Sequence, residues 1–398
     1  MNKTNTAKGP LSDIVVLDAA TVIAAPLAAC LLGDAGARVI KIEHPTTGDT
    51  GRRLSEGRGL YWKFIARNKE SVTCNLSSPE GAELFRQLAK KADVVIENFR
   101  PGTMAKWGLS YEELSRDNPR LIMAHISGFG QDGPFVKRPG YGSLAEARGG
   151  IAFVTGEEDG PPLLPGAPVA DPLAGLTAVS AITMALWARD AGGRNGRGEE
   201  IDISLYGPML YLMGGAITDY SGSGHFPTRG SHLGRRVIRY AGQCRDESWV
   251  AVAAIGVKLL QKTMDFARST GHLNLAETDV EKIDLVHVDA ALRAWMSERD
   301  RPEVLAALTQ ADIPNGPINS VPEILEDELY RARGDFITFD DPQFGPLEMP
   351  RAPFRFREMG YRADFAGHDL GADNARVYSE MLGLDEAALA ALRAQGTI

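Results

Sequence analysis

The chain of 398 residues carries 43 Lys and Arg against 52 Asp and Glu, and a formal charge of −9 repels polyphosphate chains and anionic lipid, which argues against nucleic-acid or membrane partners. A hydrophobic share of 44% supplies a buried core, and at roughly 150 residues per domain the length predicts about two domains. Cys30, Cys74 and Cys244 lie far apart without a CxxC pair, which excludes a disulfide framework and points to a reducing, cytoplasmic compartment.

The opening MNKTNTAKGPLSD has no apolar stretch behind its lysine and reads as a short lead rather than a signal peptide. Residues 13–18 then read as a strand, 26–32 as a helix start and 37–43 as a second strand. Ser78 followed by Pro79 predicts an N-cap with proline at the first helical position, and Ala82, Phe85, Leu88 and Ala89 recur at helical spacing. Residues 93–96 and 120–125 are further strands. Repeated strand, helix, strand predicts a parallel sheet covered on both faces, an α/β fold.

Residues 128–171 hold too many glycines and prolines for a long helix, and loops of this kind usually carry function, so the active site is expected there. The apolar stretch 172–188 includes Gly175, Thr177, Ser180 and Thr183 and falls short of the roughly 20 apolar residues a membrane span needs; it reads as a buried helix. Residues 200–205 alternate as a half-buried strand. A breaker-rich segment at 220–234 marks the start of a smaller domain that includes a strand at 248–254 and ends near Asn315-Gly316-Pro317. The predicted division is therefore 1–219, 220–320 and 321–398, with helices at 321–332 and 373–394.

Several chemistries find little support in the residues, an NAD-dependent oxidoreductase remaining as a weak alternative. The turn after the first strand, Ala19 to Pro26, lacks the glycines of a dinucleotide fold, although Glu43 stands where such folds place a ribose-binding acid. No P-loop, HExxH or GxSxG motif is present, and no metal site is expected. Asp171 remains, at the junction of a proline-rich loop and an apolar helix. With Pro172 it reads as an N-cap with proline at N1, and a carboxylate so placed is expected to be held ionised by the helix dipole and available as a nucleophile.

Together these residues resemble the family III CoA-transferases, the CaiB/BaiF group that includes formyl-CoA and carnitine CoA-transferases and, as a branch, α-methylacyl-CoA racemases. The resemblance runs over nearly the whole chain. It is carried by Gly33-Asp34-Ala35-Gly36 before Val39 to Glu43, Ser78-Pro79-Glu80-Gly81, Glu97 to Gly102 with Gly108-Leu109, Ile126 to Gly130 with Gly133-Pro134, Asp171 to Gly175, Gly196-Arg197-Gly198 and Pro314 to Pro317. It implies a Rossmann-like large domain built from both ends of the chain, a smaller α+β domain between them, and an interlocked, ring-like homodimer. The family's catalytic aspartate falls on Asp171. Its CoA contacts fall on Val22, Ile23, Ala24, Cys74, Asn98, Phe99 and Lys106, with His44 at a position that is basic in formyl-CoA transferases.

The departures bear on substrate. Ile23 replaces the glutamine of the formyl-CoA transferases, Ala253 to Lys258 replaces their glycine-rich lid, and Ser77 stands at a second basic position. Tyr141 occupies the place of the racemases' proton-shuttling histidine, while His125 reads as a strand-end histidine. The expected reaction is transfer of CoA from an acyl-CoA, succinyl-CoA above all, to a free small carboxylic or dicarboxylic acid through covalent aspartyl intermediates. No permanently bound cofactor is expected, since CoA is itself substrate. A racemase and a non-catalytic acyl-CoA-binding protein are the alternatives. Arg148, where relatives carry an apolar residue, and the group Arg235, Arg236 and Arg239 are candidates, with Tyr141, for the acyl pocket. A planar guanidinium there would grip a second carboxylate.

Overall fold

The computed structural model describes residues 8–230 and 237–398. Two compact units emerge among them, one drawing on Met1–Gly150, Pro165–Met213 and Gly334–Ile398, the other on Ile151–Leu164 and Gly214–Arg333. The expected divisions at 220 and 320 thus stand against Gly214 and Gly334, and residues 151–164 join the second unit. Part of the breaker-rich segment is helical, since a helix runs over Gly214–Ser223.

The first unit is built on six parallel strands, β1 Val15–Asp18, β2 Arg38–Glu43, β3 Lys69–Thr73, β4 Val94–Glu97, β5 Ile122–Ser127 and β6 Glu200–Ser204, in the order β3-β2-β1-β4-β5-β6. This is the doubly wound arrangement, whose strand order reverses beside β1 and leaves a crevice at the carboxyl ends of β1 and β4. Strand β3 has no counterpart in the sequence analysis, because Lys-Glu-Ser-Val-Thr lacks an apolar run. It is nevertheless buried along its length, and its polar side chains are paired rather than hydrated.

Ser78 caps the Pro79–Ala89 helix as predicted, accepting from the Gly81 N–H at 3.1 Å. The 21-residue helix Ala170–Asp190 is the one described helix long and apolar enough to cross a membrane. Here one face, through Ala174, Gly175, Ala178 and Ile182, is buried in the first unit. Gly175 permits the closest approach, since a Cβ there would stand 2.6 Å from the Ala24 carbonyl on helix Ala24–Asp34.

Beneath the crevice lie four fully buried charges. Lys69 Nζ donates to Asp18 Oδ2 and to the Pro26 carbonyl, both at 2.7 Å. Lys41 Nζ stands 3.0 Å from Asp49 Oδ2 and 3.6 Å from Asp18 Oδ1, and donates to the Ala20 carbonyl. Burial alone would lower the Lys41 pKa, but Asp18, Asp49 and Glu43 outweigh it and hold Lys41 above the usual lysine value.

The outer edge of β3 is covered by the end of the chain. Asp373 Oδ2 accepts from the Ser71 N–H at 2.8 Å, Asn374 Oδ1 from the Thr73 N–H at 2.8 Å, and the Tyr378 hydroxyl donates to the Thr73 carbonyl at 2.7 Å. The first unit also holds the antiparallel hairpin β10 Phe336–Asp341 and β11 Gly345–Pro350. The second unit has a three-stranded antiparallel sheet, β7 Val237–Gln243, β8 Trp249–Ile255 and β9 Asn315–Pro317. Its inward residues, among them Ile238, Tyr240, Val250 and Val252, share a core with Met264, Leu292 and Trp295.

Removing one member of the buried quartet leaves an uncompensated charge in the core. Lys69→Met is expected to destabilise the fold by about 3–5 kcal/mol, read as a lower urea midpoint with unchanged slope.

Candidate active site

The segment joining β1 to the Ala24–Asp34 helix sits where dinucleotide folds use glycine. Val22 nonetheless adopts φ +73, a left-handed conformation that is strained for a β-branched residue. Three bonds impose it. Asn98 brackets Thr21, accepting from its N–H at 2.8 Å and donating to its carbonyl at 2.7 Å, while Asp49 Oδ1 accepts from the Val22 N–H at 2.9 Å. Burial would raise the Asp49 pKa, but Lys41 and the N–H groups of Val22 and Gly51 outweigh it and hold Asp49 below the usual carboxylate range. The following helix has Ile23 at its N-cap with no side-chain cap, so its leading N–H groups have no side-chain acceptor.

Beside this segment opens a cleft of about 290 Å³, lined by Thr21, His44, Asp49, Cys74, Phe99 and Trp107 among others, at the carboxyl ends of β1 to β4. Three of the residues expected to contact CoA, His44, Cys74 and Phe99, lie on its wall. Val22, Ile23 and Ala24 belong to the segment that borders it. Phe99 packs edge-on against Trp107, ring centroids 5.1 Å apart. Lys106 is exposed on the short helix that precedes Trp107 and forms no ion pair among the described residues. Cys74 is buried, and burial pushes its thiol up to about 12, so it serves as an apolar wall rather than a nucleophile.

Asp171 differs from the sequence expectation in two respects. It is not the N-cap: the helix begins at Ala170 with Val169 as cap, so Asp171 is the second helical residue. Nor do the leading N–H groups hold it ionised. Glu146 Oε1 accepts from the Val169 N–H at 2.7 Å and from the Ala170 N–H at 3.1 Å, leaving Asp171 without a hydrogen-bond donor among the described residues. Burial, then the charge of Glu146, pushes the Asp171 pKa up to about 6. At pH 7 such a carboxylate is still about 90% ionised.

Glu146 belongs to the helix Gly142–Arg148, which lies inside the stretch read as loop. Gly142, one turn earlier, allows the Asp171 carboxylate to approach, for a Cβ there would lie 2.5 Å from Asp171 Oδ2. Tyr61 is the other ionisable neighbour; burial, then the Asp171 charge, pushes its hydroxyl up to about 12. Gly175, one turn beyond Asp171 on the same helix face, touches Ala24, so the nucleophile candidate stands near the uncapped start of the Ala24–Asp34 helix.

The remaining candidates are scattered. Tyr141 is 70% exposed at the head of the Gly142–Arg148 helix. Arg148 closes that helix, about 9 Å along its axis from Gly142, with its guanidinium 4.6 Å over the Phe135 ring and no ion pair among the described residues. Arg239 lies on β7 in the second unit, on an open cleft with Ala253 and Asn315. Arg235 and Arg236 lie outside the described residues. His125 has both ring nitrogens on carboxylates, Nδ1 on Glu97 and Nε2 on Glu200 at 3.0 Å. Glu146, Asp49, Gly142 and Tyr61 were missed. The i, i+4 spacing of Gly142 and Glu146 was the available signal, hidden among chain breakers.

The sequence model of CoA-transferase family III matches residues 11–374, and the chain belongs to that family. Curated relatives are CoA-transferases, and this chain is one. The beta subunit of succinyl-CoA–L-malate CoA-transferase from Chloroflexus aurantiacus is 37% identical over 98% of both chains. Succinyl-CoA–D-citramalate CoA-transferase of the same organism is 35% identical over 98% of both. Succinate–glutarate CoA-transferase of Agrobacterium fabrum is 31% identical over 94% of this chain and 96% of that one. Among solved structures, a CAIB/BAIF family protein from Brucella suis matches with TM-score 0.82 and 32% identity, over 94% of this chain and 100% of that one.

Asp171 binds its proton more tightly folded than unfolded, so this group contributes stability at low pH that is lost as pH rises from about 4 to about 6 and is not regained above. Asp171→Asn is therefore expected to raise Tm relative to the native protein at pH 8 and to leave it nearly unchanged at pH 4, measured by calorimetry.

Proposed function

We propose that this CoA-transferase moves CoA from succinyl-CoA to a short dicarboxylic acid, with Asp171 as the covalent nucleophile. The observation that carries the reading is Asp171 itself, a half-buried carboxylate with no hydrogen bond among the described residues, on a helix that packs through Gly175 against the uncapped start of the Ala24–Asp34 helix. Asp171 attacks the donor thioester carbonyl and expels CoA thiolate, forming a mixed anhydride. The thiolate then attacks the aspartyl carbonyl, releasing succinate and leaving an aspartyl-CoA thioester. The acceptor carboxylate attacks that thioester, again expelling thiolate, which attacks the acceptor's acyl carbon to give product and free Asp171. One thioester is exchanged for another, so the cycle needs no outside energy source. The N–H groups of Ile23 and Ala24 are the candidate oxyanion donors, each worth about 3 kcal/mol in comparable acyl transfers.

The CoA moiety is proposed to run along the cleft past His44, Cys74 and Phe99, with Lys106 placed to meet a phosphate and Asn98 bracing the wall. Racemisation finds no support at His125, whose two nitrogens are both engaged. The relatives named for malate, citramalate and glutarate favour a dicarboxylate. Arg148 is the proposed reader of its distal carboxylate, its charge uncompensated by any described acid and its plane fixed on Phe135. We also propose a homodimer, interlocked as in the family. Leu176, Met184 and Trp187 leave an exposed apolar face on the Ala170–Asp190 helix, and Leu210, Tyr211 and Leu212 extend the exposed apolar surface of the first unit. The three cysteines are free thiols, in keeping with a cytoplasmic setting.

Asp171→Ala and Asp171→Asn are expected to abolish CoA exchange without loss of fold. Hydroxylamine added with succinyl-CoA is expected to modify the Asp171 peptide, identified by mass spectrometry; full exchange activity in Asp171→Ala would refute the mechanism. Arg148→Met is expected to raise KM for a dicarboxylate acceptor about tenfold or more, the scale of a lost charged hydrogen bond, and to leave KM for a monocarboxylate of equal length unchanged. Equal native use of propionate and succinate would refute the distal-carboxylate role.

A further inference from the structure

We propose that Glu146 is a positioning residue for the transfer reaction: by taking the leading N–H groups of the Ala170–Asp190 helix, it keeps the Asp171 carboxylate free of hydrogen bonds and beside a second negative charge. The inference rests on the reading of Asp171 as nucleophile and extends it to what sets its reactivity.

A carboxylate in the first turn of a helix ordinarily gains from unpaired N–H groups and from the dipole. Here those groups point into Glu146 Oε1, at 2.7 Å from Val169 N and 3.1 Å from Ala170 N. Glu146 is itself 3% exposed, too enclosed to exchange this role with water. One turn earlier on the same helix, Gly142 offers hydrogen where any other residue would set a Cβ 2.5 Å from Asp171 Oδ2. Gly142 and Glu146, four residues apart on one helix face, thus do complementary things: one admits the nucleophile, the other withholds its donors. A carboxylate stripped of donors and facing another carboxylate holds its lone pairs less tightly and is the stronger nucleophile, at the expense of a higher proton affinity.

Among the described residues no competing charge faces Asp171. Tyr61, on helix Leu60–Ile65, faces Asp171 as a neutral phenol, and Cys30, on helix Ala24–Asp34, is a buried neutral thiol. Ionisable groups on the other elements packed against the long helix are engaged elsewhere. His125 and Glu200 pair with each other, Asp202 accepts from the Gln131 N–H, Tyr206 stacks on Phe129, and Arg148 lies over Phe135. Glu146 is therefore the charged group that governs Asp171.

The test uses the full-length enzyme and two variants. Glu146→Gln keeps an oxygen for the two N–H groups and removes only the charge; Glu146→Ala removes both. The rate of hydroxylamine trapping at the Asp171 peptide, followed from pH 5 to 8 with saturating succinyl-CoA and a constant concentration of unprotonated hydroxylamine, reports the titration of Asp171. Both variants are expected to move its acid limb down by about half a pH unit or more, a threefold change in proton affinity. In Glu146→Gln the maximal trapping rate and kcat are expected to fall severalfold while KM for succinyl-CoA holds within about twofold. An acid limb in folded Glu146→Gln that coincides with the native one overturns the proposal, whatever Glu146→Ala does. The two readings fail separately: absence of trapping at Asp171 in the native enzyme refutes the nucleophile, whereas native trapping with an unmoved limb in the variant refutes only the role of Glu146.

Discussion

The alternating pairs Asp18–Lys69 and Lys41–Asp49, sealed in the core of the first unit, are the constraint on which the rest of the site depends. Desolvating four charges is unfavourable by several kcal/mol each, and it is tolerated only because each ion meets an opposite one and also holds a backbone group. What those groups are explains the arrangement. Ala20 and Val22 are in the segment that leaves β1 and Pro26 is in the first turn of the helix that follows, so the ion pairs fasten both ends of the loop that borders the cleft. A dinucleotide fold obtains its tight turn from glycine. This chain obtains one from valine, forced into place by Asp49 from the loop after β2 and Asn98 from the turn after β4.

The same economy of space governs the neighbourhood of Asp171. Two glycines on different helices, Gly142 and Gly175, let three backbones converge on it, and no described residue supplies a countercharge. Binding sites that must hold a carboxylate still usually surround it with donors. This one leaves the carboxylate without a described donor, which suits the nucleophilic role proposed for Asp171.

The fold was legible where apolar periodicity and caps were explicit. β1, β2, β4, β5 and β6, the Ser78 cap and the long apolar helix follow from their sequences within a residue or two. β3 did not, because its lysine and glutamate look like surface residues until partners from Asp18 and Arg38 are supplied by distant segments. Asp171 was singled out by its place in the chain and by family resemblance, whereas its surroundings were not legible in the sequence. Periodicity says where a helix lies, not which carboxylate reaches its N–H groups from 23 residues away. The seven-residue helix carrying Glu146 was lost among glycines and prolines for the same reason: its order comes from packing on the long helix, not from its own propensity.

The covering of β3 by Asp373, Asn374 and Tyr378 has a temporal consequence. The strand emerges from the ribosome some 300 residues before the side chains that satisfy its outer edge. Until then its unpaired amide groups remain a template for any extended chain, including another nascent copy. The outer edge of β3 is therefore covered only once residues 373–378 have been made, and until then the first half of the sheet waits in a state where premature pairing is the principal hazard. High sequence separation of this kind slows folding as well as delaying it. Loss of residues 373–398 would remove no residue that lines the cleft, yet it would leave the sheet with an open edge.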